Sequence, residues 1–414
     1  MLSMSDISTF LSTLVKIFTM YFSLSLVFAV GALPIFRRLR RRRAVRKECT
    51  PRTKFAVVIA ARNEENVIAQ LIDSLHKQDY PSELFDIIAV PNNCTDDTET
   101  AALTAGAKIM HPSVTVRNKG DVLHDILGRL TRESDYDAFV LFDADNVVDP
   151  AFLREIDKSM QGGALACKGR QLAKNPYESA TAGCYAIWFE FSGWLFNTSR
   201  SVVKMSAKVV GTGFAVHRDL LLHFGGWNTT SICEDTEFGA KCSLEGVRVH
   251  WVPTAITYDE QPNSFAVSIR QRRRWASGVM HTGSMYIGRL FANVVHGRAS
   301  LLSFDMFMAL VAPFAQAFAV IPITMSFLQH VMNGSPERIL LQLATTYAGI
   351  VAGTLALMFI RGYRNRGMVK GCLLFPIYML TWFPLNVISV FKRTTRWTAI
   401  VHVGGKQPQL SVKK

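Results

Sequence analysis

Short apolar runs alternate with helical patterns through the middle of this chain. Four such runs, at 55–60, 85–90, 107–110 and 138–142, have the length and composition of buried strands. After the first run, apolar positions repeat with a period near 3.6 and predict a helix, which Asn63 is expected to cap. Strands that alternate with helices predict an α/β fold with a mainly parallel sheet, and such sheets bind ligands at the carboxyl ends of their strands.

Longer apolar runs lie towards both ends of the chain. Residues 17–36 suffice for one membrane crossing, because about 20 residues span the hydrocarbon core. Residues 301–328 and 339–360 predict an outward and a return crossing. Residues 372–391 are also apolar, but two prolines interrupt them. The sequence leaves open whether this last segment crosses the membrane or forms a broken re-entrant or interfacial element.

The distribution of basic residues predicts which side of the membrane each segment faces. Eight of the eleven residues at 37–47 are basic, and basic residues beside an apolar run are typical of the cytoplasmic side. We therefore expect an integral plasma-membrane protein whose middle domain is cytoplasmic. The predicted segments are a transmembrane helix at 1–36, a basic juxtamembrane linker at 37–52, a cytosolic α/β domain at 53–298, transmembrane or interfacial helices at 299–391 and a basic cytosolic tail at 392–414.

Net charge and cysteine usage narrow the function classes. The chain has 46 Lys and Arg against 32 Asp and Glu, and its net charge of +14 suits anionic lipid or a diphosphate-bearing substrate. We expect no nucleic-acid partner, since the basic residues concentrate beside the apolar runs and the sequence contains no recognised nucleic-acid module. The seven cysteines form no Cys-x-x-Cys pair and are expected to be reduced thiols.

Two pairs of carboxylates are candidates for chemistry. Asp143 and Asp145 follow the fourth predicted strand, where alternate side chains can point to one side and offer oxygen ligands to a divalent cation. Glu234 and Asp235 precede a predicted helix at 236–244, where a carboxylate can act as a general base. The less specific alternatives are a solvated acidic turn for the first pair and stabilisation of a helix N-terminus for the second.

Basic and aromatic residues form a further candidate group. Gln271, Arg274 and Trp275 lie in a basic stretch shortly before the C-terminal apolar runs. Guanidinium groups bind phosphate oxygens in bidentate fashion, and an indole face packs against sugars, whereas the alternative is a solvated basic face. Lys119 lies between the third predicted strand and the next helix, where it can meet a phosphate or simply form part of a helix-entry loop.

In their order and spacing, these motifs resemble those of the membrane-bound family-two glycosyltransferases, which have a GT-A fold and include cellulose, hyaluronan and poly-N-acetylglucosamine synthases. The resemblance covers nearly the whole chain. Its most specific parts are the Glu234-Asp235 pair and the Gln271-x-x-Arg274-Trp275 motif. The matching stretches lie at 58–65, 92–98, 119–120, 143–145, 211–213, 233–235 and 271–275.

The resemblance implies a role for each candidate residue. Asp145, together with Asp143, would hold Mg²⁺ or Mn²⁺, and Asp235, next to Glu234, would be the general base. The nucleotide-sugar and the acceptor end would be held by Ala60, Arg62, Glu64, Asn92, Lys119, Asp143, Gln271, Arg274 and Trp275. Asn92 departs from the family pattern, which usually has an acidic residue there in contact with the nucleotide base.

The resemblance also implies an activity, namely inverting transfer of a sugar from a UDP-sugar to a growing β-linked polysaccharide that leaves through the membrane helices. Two alternatives stay open. One is a single transfer to a lipid or lipid-linked acceptor, and the other is a non-catalytic membrane protein with a nucleotide-binding domain. The expected partners are the UDP-sugar, the polysaccharide or lipid acceptor and membrane lipids, and a homo-oligomer or an accessory subunit is an open alternative.

Overall fold

The structure, a computed structural model, describes residues 4–44, 49–332 and 336–392. Most of the predicted basic tail and part of the predicted linker lie outside these residues. In chain order the elements are α1 (Met4–Ala44), β1 (Phe55–Ala61), α2 (Ile68–His76), a 3₁₀ turn (Ser82–Leu84), β2 (Phe85–Pro91), α3 (Thr98–Thr104), β3 (Lys108–Ile109), α4 (Lys119–Glu133), β4 (Ala138–Asp143), β5 (Val147–Val148), α5 (Phe152–Gln161), β6 (Ala166–Ala173), α6 (Ala180–Phe189), a π-helical segment (Glu190–Asn197), α7 (Thr198–Val202), β7 (Phe214–His217), α8 (Arg218–His223), α9 (Glu234–Leu244), β8 (Val249–Asp259), α10 (Phe265–Val295), α11 (Ser300–Met332), α12 (Pro336–Ile360), α13 (Gly367–Leu380) and α14 (Trp382–Phe391).

Within the described residues, eight strands form one sheet in the order β3-β2-β1-β4-β7-β6-β8-β5. β1 pairs in parallel with β2 and β4, β2 with β3, and β6 with β8. β7 runs antiparallel between β4 and β6, and the short β5 is antiparallel to β8. The predicted α/β fold with a mainly parallel sheet is therefore confirmed, and the four strands expected from the sequence are β1 to β4.

The sheet has a hydrophobic core on each face. Phe55, Val57 and Ile59 of β1 lie in a core formed largely by α2 and α5, whereas Ala56 and Val58 lie in the opposite core with α4, α8 and α9. Successive side chains of a strand point to opposite faces, so a strand that is covered on both sides needs an uninterrupted apolar run. This is why β1 has the sequence pattern of a fully buried strand.

The prediction that Asn63 caps the helix that follows β1 is wrong. α2 begins at Ile68, and its N-cap position is Val67, which makes no side-chain cap hydrogen bond. Asn63 instead adopts a left-handed conformation with φ of 58°, and its side-chain oxygen accepts a hydrogen bond from the Thr95 N–H at 2.8 Å. Asparagine tolerates this conformation better than most residues. A tertiary contact with the loop before α3 therefore replaces the local cap.

Three segments within the described residues are long and apolar enough to cross a membrane, and they are Leu301–Met325, Glu337–Ile360 and Gly367–Phe391. The last comprises α13 and α14, which meet at Thr381 and contain one proline each. Its 25 residues have the length of a crossing, which is one of the two alternatives that the sequence leaves open. The apolar part of α1, Thr19–Ile35, is shorter.

α1 is longer than the predicted first segment, since it continues past residue 36 to Ala44. Arginine is a good helix former and neither Gly nor Pro interrupts 37–44, so the basic stretch prolongs the helix. The helix is held to α11 by the Tyr21 hydroxyl, which donates to Asp305 Oδ1 at 2.9 Å, and by an edge-on contact of the Tyr21 ring with Phe304.

A buried ionic group connects the sheet to the C-terminal helices. Glu190, the first residue of the π-helical segment, is fully buried and accepts from Arg170 Nη2 at 2.5 Å and from Arg361 Nε at 2.9 Å. Arg170 belongs to β6, and Arg361 follows the end of α12. The guanidinium of Arg361 also lies 4.4 Å from the centre of the Trp194 ring. The α/β domain and the apolar helices are thus joined by charged contacts and by packing.

Candidate active site

The carboxyl ends of β1 and β4 define the first part of the site. The two strands are adjacent and parallel, and their register places Ala60 opposite Asp143. Asp143 is the last residue of β4, and its N–H donates to the Thr212 hydroxyl at 2.9 Å. Asp145 follows two residues later and is buried. Parallel strands therefore bring the predicted nucleotide-site and metal-site residues to one edge of the sheet.

Lys119 lies between carboxylates from two different elements. As the first residue of α4 it is positioned by Asn118, whose side chain accepts from the Asp121 N–H and caps the helix. Its ammonium lies 2.5 Å from Asp143 Oδ1 and 3.4 Å from Glu234 Oε1. Burial acts to lower the pKa of Lys119, but the two carboxylates raise it above its ordinary value, so the side chain is a permanent cation.

Glu234 and Asp235 form the first turn of α9, which begins two residues earlier than predicted. Asp235 accepts hydrogen bonds from the N–H groups of Gly211 and of Thr236, the latter at 2.6 Å. Burial raises the pKa of Glu234 to about 7, although Lys119 opposes this shift. Burial likewise raises the pKa of Asp235, and the two backbone N–H groups limit the rise. Both carboxylates are therefore stronger bases than exposed ones.

The turn at 211–213 orients Asp235. Gly211 has φ of 64° and Gly213 has φ of 66°, a left-handed conformation that favours glycine. A Cβ at Gly213 would lie 2.7 Å from the Thr257 methyl group, so a side chain has no room there. Thr212, between them, accepts from the Asp143 N–H and donates to the Asn146 side chain. The 211–213 turn therefore contacts both Asp143 and Asp235.

The basic stretch of α10 divides between two environments. Gln271 accepts from the Tyr185 hydroxyl at 2.6 Å, and the Trp275 ring contacts the Tyr185 ring edge-on. Arg272 is fully buried and instead donates to the Tyr378 carbonyl oxygen of α13 at 2.8 Å. Helical spacing of three to four residues places Gln271, Arg274 and Trp275 on one face. The predicted alternative of a uniformly solvated basic face therefore does not describe α10.

Asn92 has a structural role at the end of β2. Its side-chain amide donates to the Ala61 carbonyl oxygen at 2.9 Å and to that of Val90 at 3.2 Å. The two bonds hold the ends of β1 and β2 together. Both amide hydrogens are used in this way, so only the side-chain oxygen remains to face a ligand.

A single cavity of about 1020 Å³ brings the predicted site residues together. It is lined by Ala60, Arg62, Glu64, Asn92, Lys119, Asp143, Asp145, Glu234, Asp235, Gln271, Arg274 and Trp275. Their shared location is an observation, whereas the role of each residue stays a prediction. The cavity also extends beyond these residues, between the π-helical segment, α1, α11 and α14.

Several polar residues of the cavity were missed by sequence reasoning. Lys168 on β6 donates to the Thr212 carbonyl oxygen at 2.5 Å, and burial lowers its pKa to about 8. Asp259, the last residue of β8, accepts from Gln171 and Gln261, and burial raises its pKa well above the ordinary value. In the sequence, Lys168 and Asp259 are marked only as charged residues within strand-length stretches. That pattern does not show which strand residues face a ligand.

The carboxylates offer oxygen donors that suit a hard divalent cation. Among the described residues no group of three or more His, Cys, Asp or Glu side chains has the arrangement of a metal site. Mg²⁺, however, is often bound by one or two carboxylates together with substrate phosphates. Asp143 and Asp145 both line the cavity, and the buried Oδ1 of Asp259 has no protein hydrogen-bond partner. The residues present therefore fit such a cation.

Comparisons with known proteins found sequence relatives of this chain. The curated relatives include a probable glycosyltransferase, YdaM, of Bacillus subtilis, which is 26% identical over 65% of this chain and 64% of its own length. A beta-monoglucosyldiacylglycerol synthase of Nostoc sp. is 25% identical over 66% of this chain and 59% of its own length. This chain thus spans about three fifths of the length of the curated relatives that it matches.

A solved structure supports the fold assignment. The mannosyltransferase PcManGT from Pyrobaculum calidifontis superposes with a TM-score of 0.52 at 17% identity, over 90% of this chain and 99% of that one. The sequence model of a family described as "Glycosyltransferase like family 2" matches residues 51–278, which is more than half of the chain. The protein therefore belongs to glycosyltransferase-like family 2.

Proposed function

We propose that the protein transfers a sugar from a nucleoside diphosphate sugar to a lipid acceptor at a membrane. The observation that carries this proposal is the continuity of the cavity. One end of the cavity contains the carboxylates at the edge of the sheet. The other end is lined by α1 and by the candidate membrane span of α11. An acceptor with an apolar tail can therefore reach the carboxylates without leaving a hydrophobic environment. The name of the Nostoc relative, a beta-monoglucosyldiacylglycerol synthase, fits a lipid acceptor.

The residues of the sheet edge suit the donor. Arg274 and Trp275 line the cavity and offer a guanidinium for phosphate oxygens and an indole for the sugar. Asp143 and Asp145 would hold Mg²⁺ or Mn²⁺, which when bound neutralises charge on the diphosphate leaving group. The similar mannosyltransferase was solved with GDP-mannose and Mn²⁺. UDP-sugars remain the expected donors from the sequence, so both nucleotides belong in a test.

Asp235 is the proposed general base. Its carboxylate is held by the Gly211 and Thr236 N–H groups, and its pKa is raised by burial, which suits removal of a proton from an acceptor hydroxyl. The deprotonated oxygen would attack the anomeric carbon from the face opposite the leaving diphosphate. A single displacement needs one base and inverts the configuration, so that an α-linked donor gives a β-linked product.

A growing polysaccharide is the second candidate acceptor. Trp188, Trp275 and Trp382 all line the cavity, and indole rings are good surfaces for sugar faces. Trp188 and Trp382 lie with their ring centres 6.1 Å apart, so they already form one aromatic surface. The catalytic domain would be cytoplasmic in an integral membrane protein, whichever acceptor is used.

The test is transfer by the purified protein in lipid nanodiscs. A panel of UDP- and GDP-sugars is supplied with Mg²⁺ or Mn²⁺ and with diacylglycerol, phosphatidylglycerol or no added acceptor, and the products are identified by mass spectrometry. We expect metal-dependent transfer of one sugar to a lipid, loss of transfer on chelation, and a loss of about 10²–10⁴-fold in Asp235→Asn.

The matched control is Asp219→Asn, because the Asp219 carboxylate is exposed near the start of α8. A ladder of long products would favour the polysaccharide acceptor. No sugar transfer and no nucleotide release with any donor, in the wild type as in Asp235→Asn, would contradict the proposed activity and favour a non-catalytic domain.

A further inference from the structure

The far end of the cavity contains a cation that the proposed donor site does not use. Lys208 lies between α7 and β7 and lines the cavity together with Val209, Met306 and Ala309. Its backbone N–H donates to the Asn197 side chain at 3.1 Å, which connects this segment to the end of the π-helical segment. A lysine is thus held on the wall of a largely apolar chamber.

Asp305, the carboxylate whose charge raises the pKa of Lys208, is already engaged by other groups. Asp305 on α11 receives two bonds from Arg200, Nε to Oδ2 at 2.9 Å and Nη2 to Oδ1 at 2.8 Å. The Tyr21 hydroxyl of α1 also donates to it. Within the described part of the chain, no carboxylate lies within 4.0 Å of the Lys208 ammonium. The Lys208 charge is therefore not matched by a protein anion in direct contact.

This cation belongs to a different electrostatic environment from the carboxylates of the sheet edge. Burial lowers the pKa of Lys208 to about 8, and of its charged neighbours Arg200 lowers it further while Asp305 raises it. The pKa of Lys168, by contrast, responds to Asp259, Asp235 and Asp143. Lys208 hence faces the α7 and α11 end of the cavity, where positive charge prevails.

Lys208 is nevertheless close to the proposed base along the chain. Only two residues separate it from Gly211, whose N–H donates to Asp235. Three chain steps span at most roughly 11 Å between Cα atoms, and both Lys208 and Asp235 line the same cavity. The two positions are therefore neighbours on the wall of one cavity.

We propose that Lys208 binds a phosphate group of the lipid acceptor, an inference that rests on the proposed lipid-directed transfer. A lipid phosphate combines the two properties of this end of the cavity, since its anionic head matches the unpaired ammonium and its chains match the apolar wall. The acceptor class is then an anionic phospholipid whose head group also carries a free hydroxyl for Asp235 to deprotonate. Phosphatidic acid has no such hydroxyl and serves only as a probe of phosphate binding.

The test compares two ligands that differ only in the phosphate. Binding of short-chain phosphatidic acid and of diacylglycerol with the same chains is measured for the full-length protein in detergent, by intrinsic tryptophan fluorescence and without donor. We expect the wild type to prefer the phosphate lipid by at least about tenfold, and Lys208→Met to lose this preference. Lys208→Arg should keep it, because the charge remains.

Lys204→Met is the matched control, since Lys204 is exposed four residues earlier and does not line the cavity. It also controls for attraction of anionic lipid to the basic surface. Equal binding of the two lipids by the wild type, or an unchanged preference in Lys208→Met, would overturn the assignment. Inorganic phosphate that binds as tightly as the lipid phosphate would replace the lipid with free phosphate as the ligand. Binding is measured without turnover, so a failure of sugar transfer cannot be mistaken for a failure of this inference.

Discussion

The two ends of the cavity have opposite charge arrangements. At the sheet edge, which is the proposed donor end, carboxylates cluster around Lys119, and Asp143, Asp235 and Asp259 also act on the pKa of Lys168. At the α1 and α11 end, which is the proposed acceptor end, the carboxylate of Asp305 is engaged by Arg200, and Lys208 has no carboxylate in contact within the described chain. The clustered carboxylates of the donor end suit a cation with its bound diphosphate. The acceptor end has one more basic than acidic residue among these three and suits an anionic head group.

This difference indicates how one cavity could hold the proposed donor and the proposed acceptor at separate ends. The donor end would hold an anionic diphosphate through a bound cation, whereas the acceptor end would offer the Lys208 ammonium directly to an anionic head group. The two ends differ also in surroundings, because the first lies at the edge of the sheet and the second against apolar helices. Charge and polarity together would therefore favour the donor at one end of the cavity and the acceptor at the other.

The largest expected effect comes from breaking the ion pair that shapes the acceptor end. Arg200→Met leaves Asp305 as a buried carboxylate without its main partner, and such a change typically costs about 3–5 kcal/mol of folding free energy. We expect Tm to fall by roughly 6 °C or more in a thermal unfolding assay. Arg200→Met combined with Asp305→Asn should recover part of the loss, because no buried charge remains.

The control for this prediction is an exposed ion pair. Arg154 lies 2.6 Å from Asp79, and both side chains are substantially exposed, so Arg154→Met should change stability by less than about 1 kcal/mol. Equal Tm shifts in the two variants would mean that the buried Arg200–Asp305 pair contributes no more to folding stability than the exposed Arg154–Asp79 pair.

The second prediction concerns the donor end. Lys119 lowers the pKa values of both Glu234 and Asp235, so Lys119→Met should raise them. A base works only when ionised, and the acidic limb of the profile of kcat/KM against pH should therefore move to higher pH. We expect kcat/KM to fall about 10²-fold near neutral pH, as measured by nucleotide release.

Lys54→Met is the matching control, since Lys54 pairs with the exposed Asp135 far from the carboxylate cluster. An acidic limb that stays in place, or moves to lower pH, would show that Lys119 does not control the ionisation of the base.

The smallest expected effect is the pH dependence of acceptor binding. Lys208 must be protonated to bind a phosphate, and its pKa is lowered to about 8 by burial and then by Arg200, against the opposing charge of Asp305. Affinity for phosphatidic acid should therefore be highest near pH 7, where the lipid phosphate is largely doubly ionised and Lys208 is still protonated, and it should fall about tenfold by about pH 9. Diacylglycerol binding serves as the control and should not change. The same pH dependence in Lys208→Met would assign the titration to another group.

Much of the donor end could be predicted from the sequence, because it follows from local patterns. β1, β2 and β4 have the apolar composition of buried strands, and the carboxylates end β4, follow it by two residues or begin α9. In a parallel sheet the ends of neighbouring strands converge, so these positions meet without any knowledge of distant contacts. The register that places Ala60 opposite Asp143 is a consequence of this rule.

The exceptions arise where distant segments compete with local rules. Asn63 does not cap α2 because its side chain is taken by Thr95 in another loop. Arg272 and Arg274 are alike in sequence, but α14 packs against α10, and the junction of α13 and α14 buries Arg272 and not Arg274. Neither the contact of Asn63 nor the burial of Arg272 could be predicted from the neighbouring residues in the sequence.

The sequence by itself determined the alternation of strands and helices, the apolar segments and the carboxylates of the sheet edge, since each depends on periodicity or on a short motif. Only the tertiary structure decided the composition of the acceptor end. Tyr21, Arg200 with Lys208, and Asp305 come from three separate parts of the chain, and Tyr21, Arg200 and Asp305 share one hydrogen-bonded group. Contacts over such separations depend on how helices pack, which no local pattern of apolar and polar residues encodes.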